Sequence, residues 1–187
     1  MKELISAFLI IGIFAQISIP NFITMFKRSK DVAIKSNMHM MQTALEEMSS
    51  VCDGYYPIDC GTWVNEIRSE LNLPLLPHCA QGGEGNKSIA GVPSGCFIPI
   101  GECVYLPYNF VNPVLPPPAL SWFSNPVYTA SNPPPNWYSV IIPQNAGCVH
   151  YIPWNNTQSS FINCVPAYAI VGQNSIGGDI KLYLVKE

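Results

Sequence analysis

The chain has 187 residues, enough for one domain with its own core, and its charged fraction of 11% is less than half the ~25% usual for soluble domains. A formal net charge of −3 excludes a strongly acidic or basic tail, and only nine lysines and arginines give no sign of a nucleic-acid-binding surface. Eighteen prolines and thirteen glycines argue against a mostly helical or a doubly wound α/β fold, and seven cysteines favour an oxidising compartment over the cytosol.

The first segment is predicted to be a membrane-spanning helix. No charged residue occurs from Leu4 to Phe26, a run of 23 residues. As a helix this run would be about 34 Å long, enough to cross the apolar core of a bilayer. No small-residue cleavage site follows it, which argues against an ordinary cleaved signal peptide. The basic residues Lys27, Arg28 and Lys30 mark its far end, and Pro20 is expected to kink or locally open the helix.

The helical pattern continues beyond the basic residues, but with one apolar side. Apolar residues recur at spacings of four, three, four and three, at Ile34, Met38, Met41, Leu45 and Met48. One long helix is therefore predicted from near residue 2 to about residue 50. It divides into a hydrophobic stem at 1–26 and an amphipathic half at 27–50, whose apolar side is expected to lie on a sheet of the globular head at 51–187.

The head is predicted to be rich in loops, with a small antiparallel sheet near its C-terminus. Gly54 and Pro57 end the long helix, and Thr62 is expected to cap a short helix that runs to Leu71. Short segments rich in β-branched and aromatic residues predict three or four antiparallel strands. These segments are 138–142, 148–152, 167–171 and 180–185. The fold class is therefore predicted to be α+β, a long N-terminal helix packed on a small antiparallel sheet.

The sequence from Glu3 to Phe22 resembles the N-terminal helix of type IV pilins and of the related pseudopilins of type II secretion. In that family an acidic residue opens an apolar segment, a glycine lies in its middle and Ile-Pro-x-Phe closes it. Glu3, Gly12, Pro20 and Phe22 match these positions in register and without a gap. Further similarity extends the resemblance to about the first 57 residues, and beyond them only the helix-then-sheet order agrees. Mature family members begin two residues further upstream, so the natural N-terminus is expected to lie upstream or to be unusual.

The resemblance implies a structural protein that assembles with itself. Family members are inserted in the inner membrane as single-span precursors, trimmed, often N-methylated, and drawn by an assembly machinery into an extracellular helical filament. Their apolar helices bundle in the core and their heads form the surface. The residue that matches Glu3 is thought to pair with the N-terminal amine of a neighbouring subunit, and the helix often unwinds between the positions that match Gly12 and Pro20. No cofactor or metal is implied.

Two other functions remain open at this point. The first is a pseudopilin of a secretion system, which stays short and periplasmic. Major pseudopilins carry a tryptophan-containing motif and an acidic calcium loop, of which Trp122, Asn125 and Pro126, and then Asn174, Ser175 and Asp179, are only loose echoes. No calcium requirement is therefore expected. The second is a membrane-anchored adhesin or carbohydrate-binding protein that uses exposed aromatic residues.

The cysteines are expected to form short disulfides. Cys52 with Cys60, Cys96 with Cys103, and Cys148 with Cys164 would each close a local loop or turn, with Cys79 left over. A zinc site that uses His78, Cys79 and the remaining thiols is the alternative, although no paired C-x₂-C spacing supports it.

No enzymatic motif is found, and the chain is not expected to be an enzyme. The stretch 103–178 contains no charged residue, and His150 within it is expected to be a structural, half-buried residue of a strand. Triple prolines at 116–118 and 133–135 predict two polyproline-like surface loops. Either neighbouring heads in the filament or attached sugars are expected to cover this stretch. Aromatic candidates for packing between heads are Trp122, Trp137, Tyr138 and Trp154.

Overall fold

A computed structural model describes most of the long helix and the core of the head. The described residues are 2–90, 103–107, 110, 112–114, 122–124, 128–129, 146–155, 162–174 and 179–186. Helix α1 runs without interruption from Lys2 to Val51, as the sequence predicted, and Pro20 lies inside it. Since Pro20 has no N–H to donate, the helix loses one backbone hydrogen bond there. The Thr24 hydroxyl donates to the Pro20 carbonyl at 2.9 Å.

The second half of α1 packs on the sheet of the head. The five apolar residues at helical spacing are all fully buried, which confirms the predicted stripe; they are Ile34, Met38, Met41, Leu45 and Met48. They contact strand β6 (Ala167–Gln173) most extensively. The closest approach is at Gly172, where a Cβ atom would lie 2.6 Å from Met38 Sδ and 3.0 Å from Ile34 Cγ2. A residue without a side chain therefore lets the helix lie against the strand.

The main sheet has five strands and is mixed rather than purely antiparallel. Strands β4 (Val149–Asn155), β6 and β7 (Asp179–Lys186) are antiparallel neighbours, in agreement with three of the four predicted segments. Two short strands, β2 (Trp122–Ser124) and β3 (Tyr128–Thr129), pair with β4 in parallel. The fourth predicted segment, 138–142, lies outside the described residues. The α+β class is confirmed, and the parallel edge is a correction.

A second, two-stranded sheet joins the end of α1 to the main sheet. Strand β1 (Tyr56–Pro57) pairs antiparallel with β5 (Cys164–Val165), more than a hundred residues away. Helix α2 (Val64–Glu70) follows β1, and the carboxylate of Glu70 accepts hydrogen bonds from the backbone N–H groups of Ile162 and Asn163. The short helix therefore holds the segment that enters β5.

Helix α2 begins one residue later than predicted. Its N-cap is Trp63, whose backbone N–H donates to the Glu66 carboxylate at 2.8 Å. Thr62 instead belongs to the preceding turn, where both its N–H and its hydroxyl donate to Asp59 Oδ1, at 2.9 and 3.2 Å. Because Asp59 takes up the Thr62 hydroxyl, that hydroxyl does not cap the helix.

The disulfide arrangement differs from the predicted one. Cys79 and Cys103 form a disulfide with their Cα atoms 6.0 Å apart. The bridge is possible because the chain at 103–105 runs beside Ser88, whose N–H donates to the Cys103 carbonyl at 3.2 Å and whose carbonyl accepts from the Tyr105 N–H at 3.0 Å. The predicted pairing of Cys103 with Cys96 is therefore wrong, and Cys79 is not left over; Cys96 itself lies outside the described residues.

The predicted Cys148–Cys164 and Cys52–Cys60 bridges are also absent, and all four are buried thiols. The register of the sheet explains the first case. Trp154 lies opposite Ala167 in the β4–β6 pair, so Cys148 lies beside Gln173, whose N–H donates to the Cys148 carbonyl at 2.9 Å. Cys164 lies in β5 opposite Pro57. Cys148 and Cys164 are therefore not opposite each other in the sheet.

Candidate functional site

The first half of α1 presents a long row of exposed apolar side chains. Fourteen large apolar side chains between Leu4 and Phe26 are each at least 50% exposed. Burying one such side chain is worth about 1.5–3 kcal/mol, so a row of this size is unfavourable in water. By length and composition, the helix is also able to cross a membrane. Its most apolar 18-residue segment is not buried in the protein. This exposed stem is therefore the candidate functional site.

The residues singled out by the resemblance all lie in this stem. Glu3 is in its first turn. Gly12 faces open space, with no atom within 4 Å of where a Cβ would lie, so a side chain there would meet nothing in the single chain. Phe22 is 71% exposed, more than any other large apolar residue of the stem. The stretch from Gly12 to Pro20 is helical in the single chain, whereas the expected unwinding concerns the assembled filament.

The stem ends where the basic residues begin. Lys27 and Arg28 are exposed, and the Lys30 ammonium lies 4.7 Å from the centre of the Phe26 ring. Burial begins abruptly after them, at Ile34. Between Phe26 and Ile34 the helix changes from an apolar exposed segment to one with a buried side, and the domain boundary at residues 26–27 stays a prediction.

At the junction of helix and sheet, Glu46 of α1 binds two tyrosines. Its carboxylate accepts from the Tyr168 hydroxyl at 2.9 Å and from the Tyr56 hydroxyl at 3.3 Å. The two rings are in edge-to-face contact with centroids 4.6 Å apart. Burial, together with the negative charge of Glu46, raises the pKa of both hydroxyls, so they remain protonated donors. This cluster fixes the amphipathic half of α1 to the head, and the sequence analysis did not identify it.

The four described thiols and His150 are buried in the head. Burial raises the pKa of the Cys52 thiol to about 11 and that of Cys164 to about 12, so neither is a thiolate at neutral pH. His150 in β4 is only 1% exposed, and burial lowers its pKa to about 4 despite a hydrogen bond to Gln173. Its place in a strand agrees with the sequence analysis, although it is fully rather than half buried.

The zinc alternative loses one of its two named ligands. The sulfur of Cys79 is in the disulfide, and a disulfide sulfur is not a thiolate ligand. His78 instead caps the 3₁₀ turn Cys79–Gln81 through a 3.3 Å hydrogen bond from the Ala80 N–H to Nδ1. Across the described ranges, no three histidine, cysteine or acidic residues come together as a metal site.

One of the four aromatic candidates for packing between heads is placed differently. Trp154 lies in β4 and is 1% exposed, so it belongs to the head's own core and not to a contact surface; that prediction is wrong. Trp122 lies in β2, and Trp137 and Tyr138 lie outside the described residues. Trp154 was a candidate because it is an aromatic residue of the charge-free stretch, and that pattern does not reveal that residues 149–154 of its strand are all buried.

Comparison of the chain with protein-family models, with curated proteins and with solved structures finds no match in any of the three.

Proposed function

We propose that the chain is a structural subunit of an extracellular filament of the type IV pilus kind, assembled through its apolar stem. Before assembly the stem would hold the chain in the inner membrane. In the filament, stems of many copies would bundle and bury one another's apolar side chains. The observation that carries the proposal is that one continuous helix has an exposed apolar first half and a second half buried against the head.

The head supports this proposal because its core is complete without the stem. Burial in α1 begins at Ile34, and the described residues of the sheet, β1, α2 and the second half of α1 bury one another. The 23 uncharged residues before Lys27 are therefore not part of the buried core of the head. A segment that is costly in water and unused by the fold requires a partner outside the single chain, either lipid or further stems.

The Cys79–Cys103 disulfide supports a location outside the cytosol, since such bonds persist in oxidising compartments. The in-register match of Glu3, Gly12, Pro20 and Phe22 to the pilin stem favours a polymer over a simple membrane anchor, because an anchor requires only length and hydrophobicity.

The test is immunogold electron microscopy of filaments sheared from cells that express the chain. We expect labelled filaments from the natural sequence. Ile13→Asn, which places a polar group on the stem, is expected to reduce their yield at least about tenfold, since an unsatisfied amide in an apolar contact costs about 1–3 kcal/mol at every copy.

Ile162→Asn is the matched control. Ile13 and Ile162 are both more than half exposed in the single chain, but Ile162 lies on the head. The head variant is expected to form filaments at the natural yield. Detection of the natural chain only as a membrane-bound monomer, or only in short periplasmic assemblies, would contradict the proposal; the second result would favour a secretion pseudopilin.

A further inference from the structure

The charges of the described chain are separated along its long axis. Between residues 27 and 35 there are four basic residues and one acidic residue, Asp31. Between residues 36 and 86 there are seven acidic residues and one basic residue, Arg68. The residues that follow the stem in α1 are therefore mostly positive, and the next fifty residues of the chain are mostly negative.

Five of those seven acidic residues already have partners within the head. Glu46 binds two tyrosine hydroxyls, and Glu70 binds two backbone N–H groups. The others accept from neighbouring backbone or from a lysine; they are Asp59, Glu66 and Glu84. The remaining two, Glu47 and Asp53, are exposed and make no hydrogen bond or ion pair through their carboxylates with any described residue. We call Glu47 and Asp53 the acidic shoulder.

Most of the basic residues in this part of α1 likewise have no ion-pair partner among the described residues. The only ion pair among the described residues is Lys87 with Glu84. Lys30 lies over the Phe26 ring. Lys27, Arg28 and Lys35 are exposed and form no ion pair with any described residue. We call Lys27, Arg28 and Lys35 the basic collar.

The geometry of α1 places the two groups where one copy could meet another. Lys27 and Glu47 are 20 residues apart on one helix, which corresponds to about 30 Å along its axis and about 200° around it. Arg28 and Lys35 lie about 100° and 120° from Glu47 around the axis. Every residue of the basic collar is therefore on a different side of the helix from Glu47 and at least about 18 Å from it along the axis, too far to pair within one chain. When a patch and its complement lie on different sides of a molecule, the contact between two copies is head-to-tail. Repetition of such a contact builds an open helical polymer unless the rotation between copies closes a ring.

We propose that the basic collar of one copy pairs with the acidic shoulder of a second copy, and that this contact sets the axial offset between neighbouring subunits. This inference rests on the proposed filament function. The offset is expected to be about 30 Å for a pair of subunits joined by Lys27 and Glu47. An anionic lipid surface would also attract the collar. It would leave the two unpaired carboxylates without a role, so the second copy is the occupant favoured by the charge pattern.

The first test is zero-length carbodiimide crosslinking of sheared filaments, followed by peptide mass spectrometry. This reagent joins a lysine amine directly to a carboxylate in contact with it. We expect crosslinks from Lys27 or Lys35 to Glu47 or Asp53. The 12 residues from Lys35 to Glu47 correspond to about 18 Å along the helix, so these crosslinks form only between copies. Their absence from filaments that crosslink at other lysines would overturn the proposal.

The second test is charge reversal. Arg28→Glu and Glu47→Arg are each expected to lower filament yield about fivefold, because each replaces an attraction with a repulsion at every contact. The double variant, in which the two charges are exchanged, is expected to recover most of the natural yield. Gln81→Arg, which adds a positive charge at another exposed position of the head, is the control and is expected to have no effect.

The outcomes separate this inference from the proposed function. Natural filaments whose yield is insensitive to both reversals would overturn the inference and leave the filament function standing. Absence of filaments from the natural chain would overturn both. If only Arg28→Glu lowers the yield, and it also removes binding to vesicles that contain phosphatidylglycerol, the collar serves a lipid surface and the proposal fails.

Discussion

His150 is the buried residue whose protonation state depends most directly on folding. It lies in β4 with 1% of its surface exposed, and the imidazole is neutral in the folded chain because burial disfavours its charged form. Its contact with Gln173 of β6 partly offsets this effect but leaves the pKa at about 4, below the ordinary value of 6.5. In the unfolded chain the same group takes up a proton near pH 6.5.

We therefore expect the head to lose stability as the pH falls from 6.5 to 4. Within this window the unfolded state binds the proton and the folded state does not, so acid favours unfolding. The contribution of His150 is fully present above pH 6.5 and is lost by about pH 4. A shift of this size corresponds to about 3 kcal/mol. The measurement is urea unfolding of the full chain in detergent at several pH values, monitored by near-ultraviolet circular dichroism.

Two histidine variants isolate this effect from the titration of carboxylates. His150→Gln removes the buried imidazole and is expected to flatten the dependence between pH 6.5 and 4, whatever its effect on stability at neutral pH. His39→Gln changes an exposed histidine of α1 and is expected to keep the natural slope. Equal slopes for the natural chain and His150→Gln would show that His150 does not control the acid response.

At the scale of elements, the packing of the amphipathic half of α1 on the sheet depends on a close approach to β6. Ile34 and Met38 reach Gly172 at a distance that leaves no room for a methyl group. Interiors packed at this density do not absorb an added carbon without moving side chains or backbone. The glycine therefore sets how deeply the amphipathic half of α1 sits on the sheet.

Gly172→Ala is expected to destabilise the head by about 1–2 kcal/mol, since the new methyl group would overlap Met38 Sδ and Ile34 Cγ2. The penalty is expected to shrink in a Met38→Ala background, because the nearest overlapping atom is gone. A double-mutant cycle on urea midpoints measures this coupling. Gly12→Ala is the control at a helical glycine with open space around it, and it is expected to leave the head unchanged. Additive effects of Gly172→Ala and Met38→Ala would contradict the packing argument.

The elements differ in how well they could be predicted from the sequence. The helix and its stripe were predictable because their signal is a local period. Strands β4, β6 and β7 were predictable because they are short segments rich in β-branched and aromatic residues between turns. Strands β1 and β5 have two residues each and gain their structure from a partner more than a hundred residues away. Cys79 and Cys103 meet because Ser88 bonds the chain at 103–105. Contacts of this kind leave no local pattern, so local loops gave the wrong disulfide pairs.

The exposed stem was predictable because it, too, has a local sequence pattern. The stem is defined by composition over consecutive residues, and its exposure follows from having apolar residues on every side while the head closes without them. The Glu46–Tyr56–Tyr168 cluster joins three elements and was not predictable. An acidic residue on the edge of an apolar stripe, with tyrosines in later segments, is a signal too common to single it out.

At the scale of the whole molecule, the charge-free stretch 103–178 has two different explanations. All of β6 and residues 149–154 of β4 are buried, and successive residues of a strand point to opposite faces. Both faces of these strands are therefore covered within the head, which accounts for their lack of charge without a neighbour. Covering by another subunit or by sugars is needed only for the remainder, which includes Trp137 and lies largely outside the described residues.

This division predicts opposite results for two tryptophans of the stretch. Trp154→Ser is expected to destabilise the head by about 3–5 kcal/mol, because it removes a large buried side chain. Trp137→Ser is expected to leave the urea midpoint of the full chain in detergent unchanged but to shorten or abolish filaments, since tryptophan at an interface supplies much of the contact energy. Filament length is measured by electron microscopy. Filaments of natural length and stability from Trp137→Ser would mean that neighbouring heads do not bury this residue, and that its stretch is covered in another way, for example by sugars. A loss of head stability as large as that of Trp154→Ser would instead place Trp137 in the core of its own head.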